Sequence, residues 1–444
     1  MRDLTRGSIL GHLLHMAMFM SLSMALQTLY FLVDLYFVSA LGKEAVAALS
    51  LAGNLQLTAM ALTQMLGAGT TTLVAHATGR GDHAEARTVF HQAWLLSAIL
   101  GLAVFAIGFA LRMPYSRALS ADETTVRLAS DYLTWFLPSL ALQFPLVAMG
   151  SALRGRGVVK PGLAVQAISV GLNTLLAPVL IAGWGTGRPL GVAGAGLSTF
   201  IALAAGVVAM TLYITHIQRD FTLTSDIGSP RFDLWRRMLN IGLPAGGEFA
   251  LISLSGAMMY WMIRDFGASA QAGYGIGSRL MQSIFLPVMA IAFAAGPVAG
   301  QNFGARQGDR VREAYRTSAW LGVVLMTVTT LLCRLMPARL MALFTADAGV
   351  ISMGAEFLSI VAWNFVAVGL NFTASGMFQA LGNAWPSLAC SAARLILFLA
   401  PALWMAAQPG FALRPLWYWA VATVALQAVA SYLLLQREFR RKGI

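Results

Sequence analysis

The run LLSAILGLAVFAIGFAL, from Leu95 to Leu111, holds seventeen residues with no charge and a single hydroxyl, Ser97. It is apolar on every side, whereas a helix on a water-facing surface keeps a polar stripe and a barrel strand alternates over about ten residues. A helix of about 20 residues spans the roughly 30 Å of bilayer hydrocarbon. Val192 to Tyr213 and Trp417 to Leu435 read in the same way. Outward from these three runs, the chain of 444 residues is 58% hydrophobic and 11% charged, with a mean hydropathy of +0.70. That is too little polar side chain to coat a water-soluble globule of this length. In lipid every backbone N–H and C=O must be satisfied internally, and the length of the apolar runs selects helices over a barrel. The expected fold class is therefore an all-α membrane protein.

Cutting at polar loops predicts about twelve spans, near residues 8–38, 46–77, 90–111, 128–150, 162–183, 190–215, 240–264, 270–301, 317–337, 352–378, 387–407 and 415–436. Met1 to Gly7 lead into the first span without a cleavage site. Of the 30 Lys and Arg residues, nineteen fall at the termini and in the even-numbered loops, nine fall in the odd-numbered loops, and Arg279 and Arg394 lie inside spans. By the positive-inside rule both termini are expected in the cytoplasm. The formal charge of +12 does not suggest a nucleic-acid partner, because the cations punctuate the helices instead of clustering on one face. Cys333 and Cys390 sit in apolar segments and read as small buried hydrophobes. The longest polar stretch, with Arg231, Arg236, Arg237 and Pro230, marks a linker. The expected division is an N-terminal six-helix bundle over 1–216, a cytoplasmic linker over 217–239 and a C-terminal six-helix bundle over 240–444. No loop is long enough to form a soluble catalytic domain.

Sliding the sequence against itself gives a repeat at an offset of 225 residues. Leu41-Gly42 falls on Phe266-Gly267, Gly79 on Gly304, Ser120-Ala121-Asp122 on Thr345-Ala346-Asp347, and Gly157 with Pro161 on Gly382 with Pro386. With six spans per half, the two repeats run parallel through the membrane, an arrangement associated with sites between halves.

The run Val33-Asp34-Leu35-Tyr36-Phe37-Val38-Ser39-Ala40-Leu41-Gly42, followed by Ala47-Ala48-Leu49, resembles the multidrug and toxic compound extrusion (MATE) family. The likeness continues through Gly67-Ala68-Gly69, Gly79-Arg80-Gly81-Asp82, Leu153-Arg154-Gly155-Arg156-Gly157, Leu172-Asn173, Pro178 to Ile181 and Gly191-Val192-Ala193-Gly194-Ala195, and so covers the whole chain. It looks closer to the branch of DNA-damage-inducible protein F than to that of the Na⁺-driven norfloxacin exporters. The resemblance implies two pseudo-symmetric six-helix bundles around a central cleft. It also implies export of amphipathic, often cationic, organic compounds in exchange for H⁺ or Na⁺ by alternating access. Three positions depart from the family pattern. Phe19 stands where a proline is common in the first helix, its repeat partner being Pro244. Ala177 stands where an Asp often follows the asparagine of the fifth helix. Met259 is the repeat counterpart of Asp34, which makes the acidic site one-sided.

An ionised carboxylate in hydrocarbon costs at least about 2.5–3.5 kcal/mol, so each intramembrane acid is a functional candidate. Asp34 is the first, as the coupling-ion or proton site, although a first helix of this length also permits it to sit at the outer interface. Gln27, two turns earlier on the same face, is placed to hydrogen-bond it directly or through water. By resemblance Tyr132, Asn173 and Thr199 face the same pocket, and Asp34, Asn173 and Thr199 offer oxygens to Na⁺. The missing acid at Ala177 favours H⁺. In the second half Glu248, near Pro244, with Arg279 and Arg394, forms either a further transport site or a charge-neutralising pair. Asp131 and Glu356, matched by the repeat, read as solvated interface residues. Gly191 to Gly196 lack the following Lys-Ser/Thr of a nucleotide loop and read as a packing face.

No clustered nucleophile, metal or acid pair points to an enzyme, and no cofactor is expected. The alternative function is a flippase for lipid-linked oligosaccharide or lipid precursors, which would show more basic residues inside its spans than Arg279 and Arg394. The expected partners are small amphipathic molecules and the bilayer, with the chain a monomer in the bacterial cytoplasmic membrane.

Overall fold

The computed structural model describes residues 3–120, 122–218 and 229–444. Ala121 of the repeat and residues 219–228 of the expected linker, Arg219 and Asp226 among them, lie outside the described residues. Punctuation by Gly, Asp and Pro sets the helices. They are α1 Ile9–Ser39, α2 Lys43–Gly79, α3 His83–Leu119, α4 Glu123–Gly155, α5 Lys160–Ala182, α6 Gly191–Ile217 and α7 Phe232–Ile263. After a 3₁₀ turn come α8 Ala268–Gly304, α9 Gly308–Leu335, α10 Pro337–Ala342, α11 Ala348–Val361, α12 Asn364–Ala380, α13 Trp385–Ala406 and α14 Leu413–Arg441. Among the described residues eleven helices are long and apolar enough to cross a membrane, or twelve when α11 and α12 count as one bent span.

Several helices outrun the expected spans. At 37 residues α3 is about 55 Å long and extends well past the hydrocarbon. Its first charged residues do not end it, because Asp82 caps it by accepting from the Glu85 N–H at 2.8 Å. Residues 232–239, placed in the linker by sequence, form the first turns of α7, with Leu234 and Met238 buried among the side chains of α2, α3 and α4. The expected tenth span, 352–378, is broken by 56° between α11 and α12. No proline sits at the break. At the break the Ala362 carbonyl accepts from the Phe365 N–H at 3.1 Å, a tighter turn than the α-helix makes, and the Thr330 hydroxyl of α9 lies between this carbonyl at 3.0 Å and its own Met326 carbonyl at 2.7 Å, a polar side chain set against the kink. Its repeat counterpart is Phe105, which carries no hydroxyl, and α4 runs unbroken there.

The repeat is visible in backbone detail. Gly42 and Gly267 have φ of 109° and 88°, and Gly157 and Gly382 have 76° and 77°, a left-handed region that side chains disfavour. Asp122 and Asp347 cap α4 and α11 by accepting from the N–H three residues on. Gly81 adopts φ 76°, and its counterpart Arg306 is held at φ 60°. Arg306 is exposed, so no packing offsets that strain of about 1–2 kcal/mol. Arg306→Gly is expected to raise thermal stability by up to about 1 kcal/mol after the glycine's greater unfolded-state freedom is discounted. Tryptophan fluorescence melts of the detergent-solubilised protein test this, and a lowered melting temperature would refute it.

By packing, the chain divides into two compact units, one comprising Phe19–Gly242 and the other Leu4–Met18 with Leu243–Ile444. Thus α1 changes unit at Phe19 and α7 changes unit next to Pro244, the repeat partners singled out above. The first unit packs around Phe90, Phe144 and Met149 towards one end and around Tyr132, Phe136 and Leu140 towards the other. In the second, Tyr274 stacks on Trp417 with centroids 5.9 Å apart and meets Phe357 edge-on at 5.1 Å. Leu4 is tied into the second unit, its N–H donating to Gln301 and its carbonyl accepting from Asn302 Nδ2 at 3.0 Å.

Candidate functional site

Four helices of the first unit bring polar side chains to one buried point. Small residues near the start of α6 permit the approach, as the sequence suggested. A Cβ at Gly194 would lie 2.4 Å from the Leu180 carbonyl of α5, and one at Gly196 would lie 2.7 Å from the Tyr132 carbonyl of α4. Thr199 follows on α6, and its hydroxyl donates to Asp34 Oδ2 of α1 at 3.2 Å. Asp34 is 4% exposed and Asn173 of α5 is fully buried, close enough to act on the Asp34 carboxyl group. The Asn173 amide nitrogen donates to Ser198 Oγ at 3.3 Å. Since the single Ser198 proton goes to the Ala195 carbonyl at 2.8 Å, Ser198 can only accept from Asn173, which fixes the orientation of the amide. Asp34 Oδ1 and Asn173 Oδ1 are left buried with no donor. A carboxylate with about four acceptor sites and a single donor is strongly under-satisfied, so the pocket is built to take up a donor or a cation.

Of the residues expected here, the structure brings together Asp34, Asn173, Thr199 and Tyr132. Tyr132 is buried beside Thr199 and Tyr30 and stacks on Phe136 with centroids 5.0 Å apart. Gln27 is not part of the group. It is exposed and makes no hydrogen bond to Asp34, because two helical turns separate the two Cα atoms by about 10 Å. Tyr30, one turn from Asp34, takes that place and makes a long 3.5 Å contact to the Thr199 carbonyl. The spacing of four to Asp34 was the available signal. Ala177 is fully buried against Tyr132 and Ile181 in an apolar cluster.

In the second unit Glu248 of α7 accepts from Ser375 Oγ of α12 at 2.6 Å, and Gln379 Nε2 donates to the same hydroxyl at 3.2 Å. Ser387 stands beside the carboxyl group, and Glu248 Oε1 has no donor. Arg394 donates to Ser255 Oγ at 3.3 Å, while Arg279 is exposed. The charge-neutralising pair considered from sequence is not formed, because hydroxyl groups instead of cations line the Glu248 carboxyl. Among the described residues no three His, Cys, Asp or Glu side chains gather as a metal site.

The MatE family model matches residues 20–179 and 244–404, once in each half. A FAD transporter of Shewanella oneidensis is 27% identical over 91% of this chain and 90% of its own length. The multidrug export protein MepA of Staphylococcus aureus is 24% identical over 85% of this chain and 83% of its own. The solved structure of the Vibrio cholerae MATE transporter VcmN in its bent form superposes with a TM-score of 0.90 at 24% identity, covering 99% of both chains. The two matched halves together cover well over half of the sequence and lead to one assignment: the chain belongs to the MatE family, multi-pass membrane transporters and not enzymes.

Proposed function

We propose that this transporter exports amphipathic, often cationic, organic compounds by alternating access, in exchange for a cation bound at Asp34. The observation that carries the reading is the pair of donor-less oxygens, Asp34 Oδ1 and Asn173 Oδ1, buried in one pocket of the first unit. A proton on Asp34 would turn one acceptor into a donor and remove the anion that attracts a cationic drug. Na⁺ would instead need a fuller shell of oxygens, and Ala177 contributes none, which favours H⁺. The likeness to a protein named for multidrug export supports the substrate class. The test is ethidium uptake into inverted vesicles, whose lumen corresponds to the periplasmic side, with a pH gradient or a Na⁺ gradient imposed separately. Uptake is expected with the pH gradient alone, and uptake that needs Na⁺ and ignores pH would reverse the choice of ion. The FAD transporter among the relatives supports a second cargo, an anionic dinucleotide, for which Arg279 and Arg394 are the in-span cations. FAD carried in the same vesicles would favour it.

The orientation belongs to the same proposal, with a monomer in the bacterial cytoplasmic membrane and both termini inside. A cysteine replacing Asp226 is expected to react with a membrane-impermeant maleimide only from the cytoplasm. Cys333 and Cys390 are buried and give little background. Labelling from the periplasm would overturn the orientation.

A further inference from the structure

At the end of the first unit where α3 stops and α4 begins lies a cavity of about 360 Å³, lined by Met113 and Arg117 of α3 and by Glu123, Thr124, Val126, Arg127, Ser130 and Asp131 of α4. Its volume falls in the range of roughly 300–1,000 Å³ typical of small-molecule sites. Four charged side chains of alternating sign surround it. Glu123, Arg127 and Asp131 follow one another at a spacing of four along one face of α4, and Arg117 faces them from α3. None of the four is within ion-pair distance of another, although a Glu-to-Arg spacing of four is the favourable one on a helix. Four charges that leave each other unpaired around one hollow form a receptor for a ligand carrying both signs.

The second repeat shows that the fold does not require these charges. Adding 225 places Ala342 at the position of Arg117, Ala348 at Glu123 and Ser352 at Arg127, and the second unit forms its corresponding helices without those charges. Only Asp131 has an acidic counterpart, Glu356, and that one faces Arg414 Nε at 3.8 Å. The residue corresponding to Arg414 in the first unit is Pro189, so Asp131 has no such partner. The quartet is thus an addition confined to one unit. From the cavity the exposed apolar residues Leu111, Ile107 and Leu102 run back along α3, a surface on which an acyl chain can lie.

We propose that this cavity binds the headgroup of phosphatidylethanolamine, with Arg117 and Arg127 on the phosphate and Glu123 and Asp131 on the primary ammonium. The guanidinium fork matches a phosphate, and an ammonium with three N–H donors can satisfy two carboxylates at once, which a trimethylated amine cannot. The cavity's place at the end of two spans, with the apolar strip leading away from it, favours a lipid over a free zwitterion.

The full-length protein is placed in nanodiscs of equal parts phosphatidylethanolamine, phosphatidylcholine and phosphatidylglycerol, and lipid retained after extraction is counted by native mass spectrometry. Phosphatidylethanolamine is expected to be retained over both others. The double variant Arg117→Ala with Arg127→Ala should lower that retention about fivefold, the size of one exposed ion pair. Glu123→Gln with Asp131→Asn should erase the preference over phosphatidylcholine while leaving phosphate binding. All four sites are exposed, so folding is not at stake, and Glu356→Gln serves as the control that changes nothing. Equal retention of phosphatidylcholine by the unmodified protein, or unchanged retention in both double variants, would overturn the proposal. So would displacement of the lipid by millimolar glycerophosphoethanolamine, which would assign the site to a soluble zwitterion.

Discussion

Asp34→Asn is expected to abolish gradient-driven efflux while leaving the protein folded and inserted in the membrane. The amide has the shape of the carboxyl group, and its oxygen can still accept from Thr199, which donates at 3.2 Å. Its NH₂ can supply the donor that Asn173 Oδ1 lacks, so the pocket becomes better satisfied than before and is held in an equivalent of the proton-loaded state. What is lost is titration, and with it the coupling. Each pH unit of gradient supplies about 1.36 kcal/mol per proton, and 100 mV adds about 2.3 kcal/mol per charge moved. One pH unit and 100 mV together therefore let one proton drive a neutral drug uphill by between two and three orders of magnitude, about 1.36 kcal/mol being one of them, and the variant forfeits all of it. Drug binding should remain measurable by tryptophan quenching or equilibrium dialysis. Transport by the purified variant under a pH gradient at the rate of the unmodified protein would remove Asp34 from the coupling role and leave Glu248 as the leading acid.

Much of the architecture was legible because a bilayer makes strong demands on sequence. Apolar runs had to be helices, and Gly42, Gly157, Asp122 and Pro161 marked helix ends that recur 225 residues later as Gly267, Gly382, Asp347 and Pro386. Features that depend on another helix were not legible. The break between α11 and α12 lies against the Thr330 hydroxyl of α9, and nothing within 348–380 announces it. Charged residues suggested that spans end where side chains enter water, yet α3 continues through that zone from its Asp82 cap and the first turns of α7 continue through it by burying Leu234 and Met238, which is why both exceed their expected limits. At the buried polar point, spacing along α1 identified Asp34 but chose Gln27 where Tyr30 stands closer. The meeting of Asn173, Thr199 and Tyr132 with Asp34 depends on how α4, α5 and α6 pack, which only the family resemblance supplied. In the second unit the same limit appears as the missing pair of Glu248 with Arg279 or Arg394, because their proximity depends on the packing of three different helices.

Packing also sets the second large effect, at Gly242. A Cβ there would lie 1.9 Å from the Met65 carbonyl oxygen of α2 and 2.8 Å from its carbon, while one at Gly69 of α2 would lie 2.4 Å from the Met238 carbonyl. Met65 and Gly69 are one turn apart on α2, as are Met238 and Gly242 on α7, so each helix offers a glycine to the other's backbone. This reciprocal small-residue crossing is the means by which membrane helices approach closely without a hydrophobic driving force. It seats the first turns of α7 in the first unit, with Met238 and Ile241 in its core. Gly242→Ala cannot be absorbed by a rotamer change, because the obstruction is backbone, so the helices must separate along the crossing. Overpacking of this kind typically costs about 1–3 kcal/mol, and a contact as short as 1.9 Å with the main-chain carbonyl of Met65 puts the expected loss at the upper end or beyond. Gly53→Ala on α2 is the matched comparison, since a Cβ there meets nothing within 4 Å. That substitution should hold or gain stability by up to about 1 kcal/mol through helix propensity. Opposite signs from one chemical change are expected in thermal melts and in the folded fraction on size exclusion. If Gly242→Ala melted at or above the temperature of Gly53→Ala, the close crossing of α2 and α7 would not be what holds the start of α7 in place.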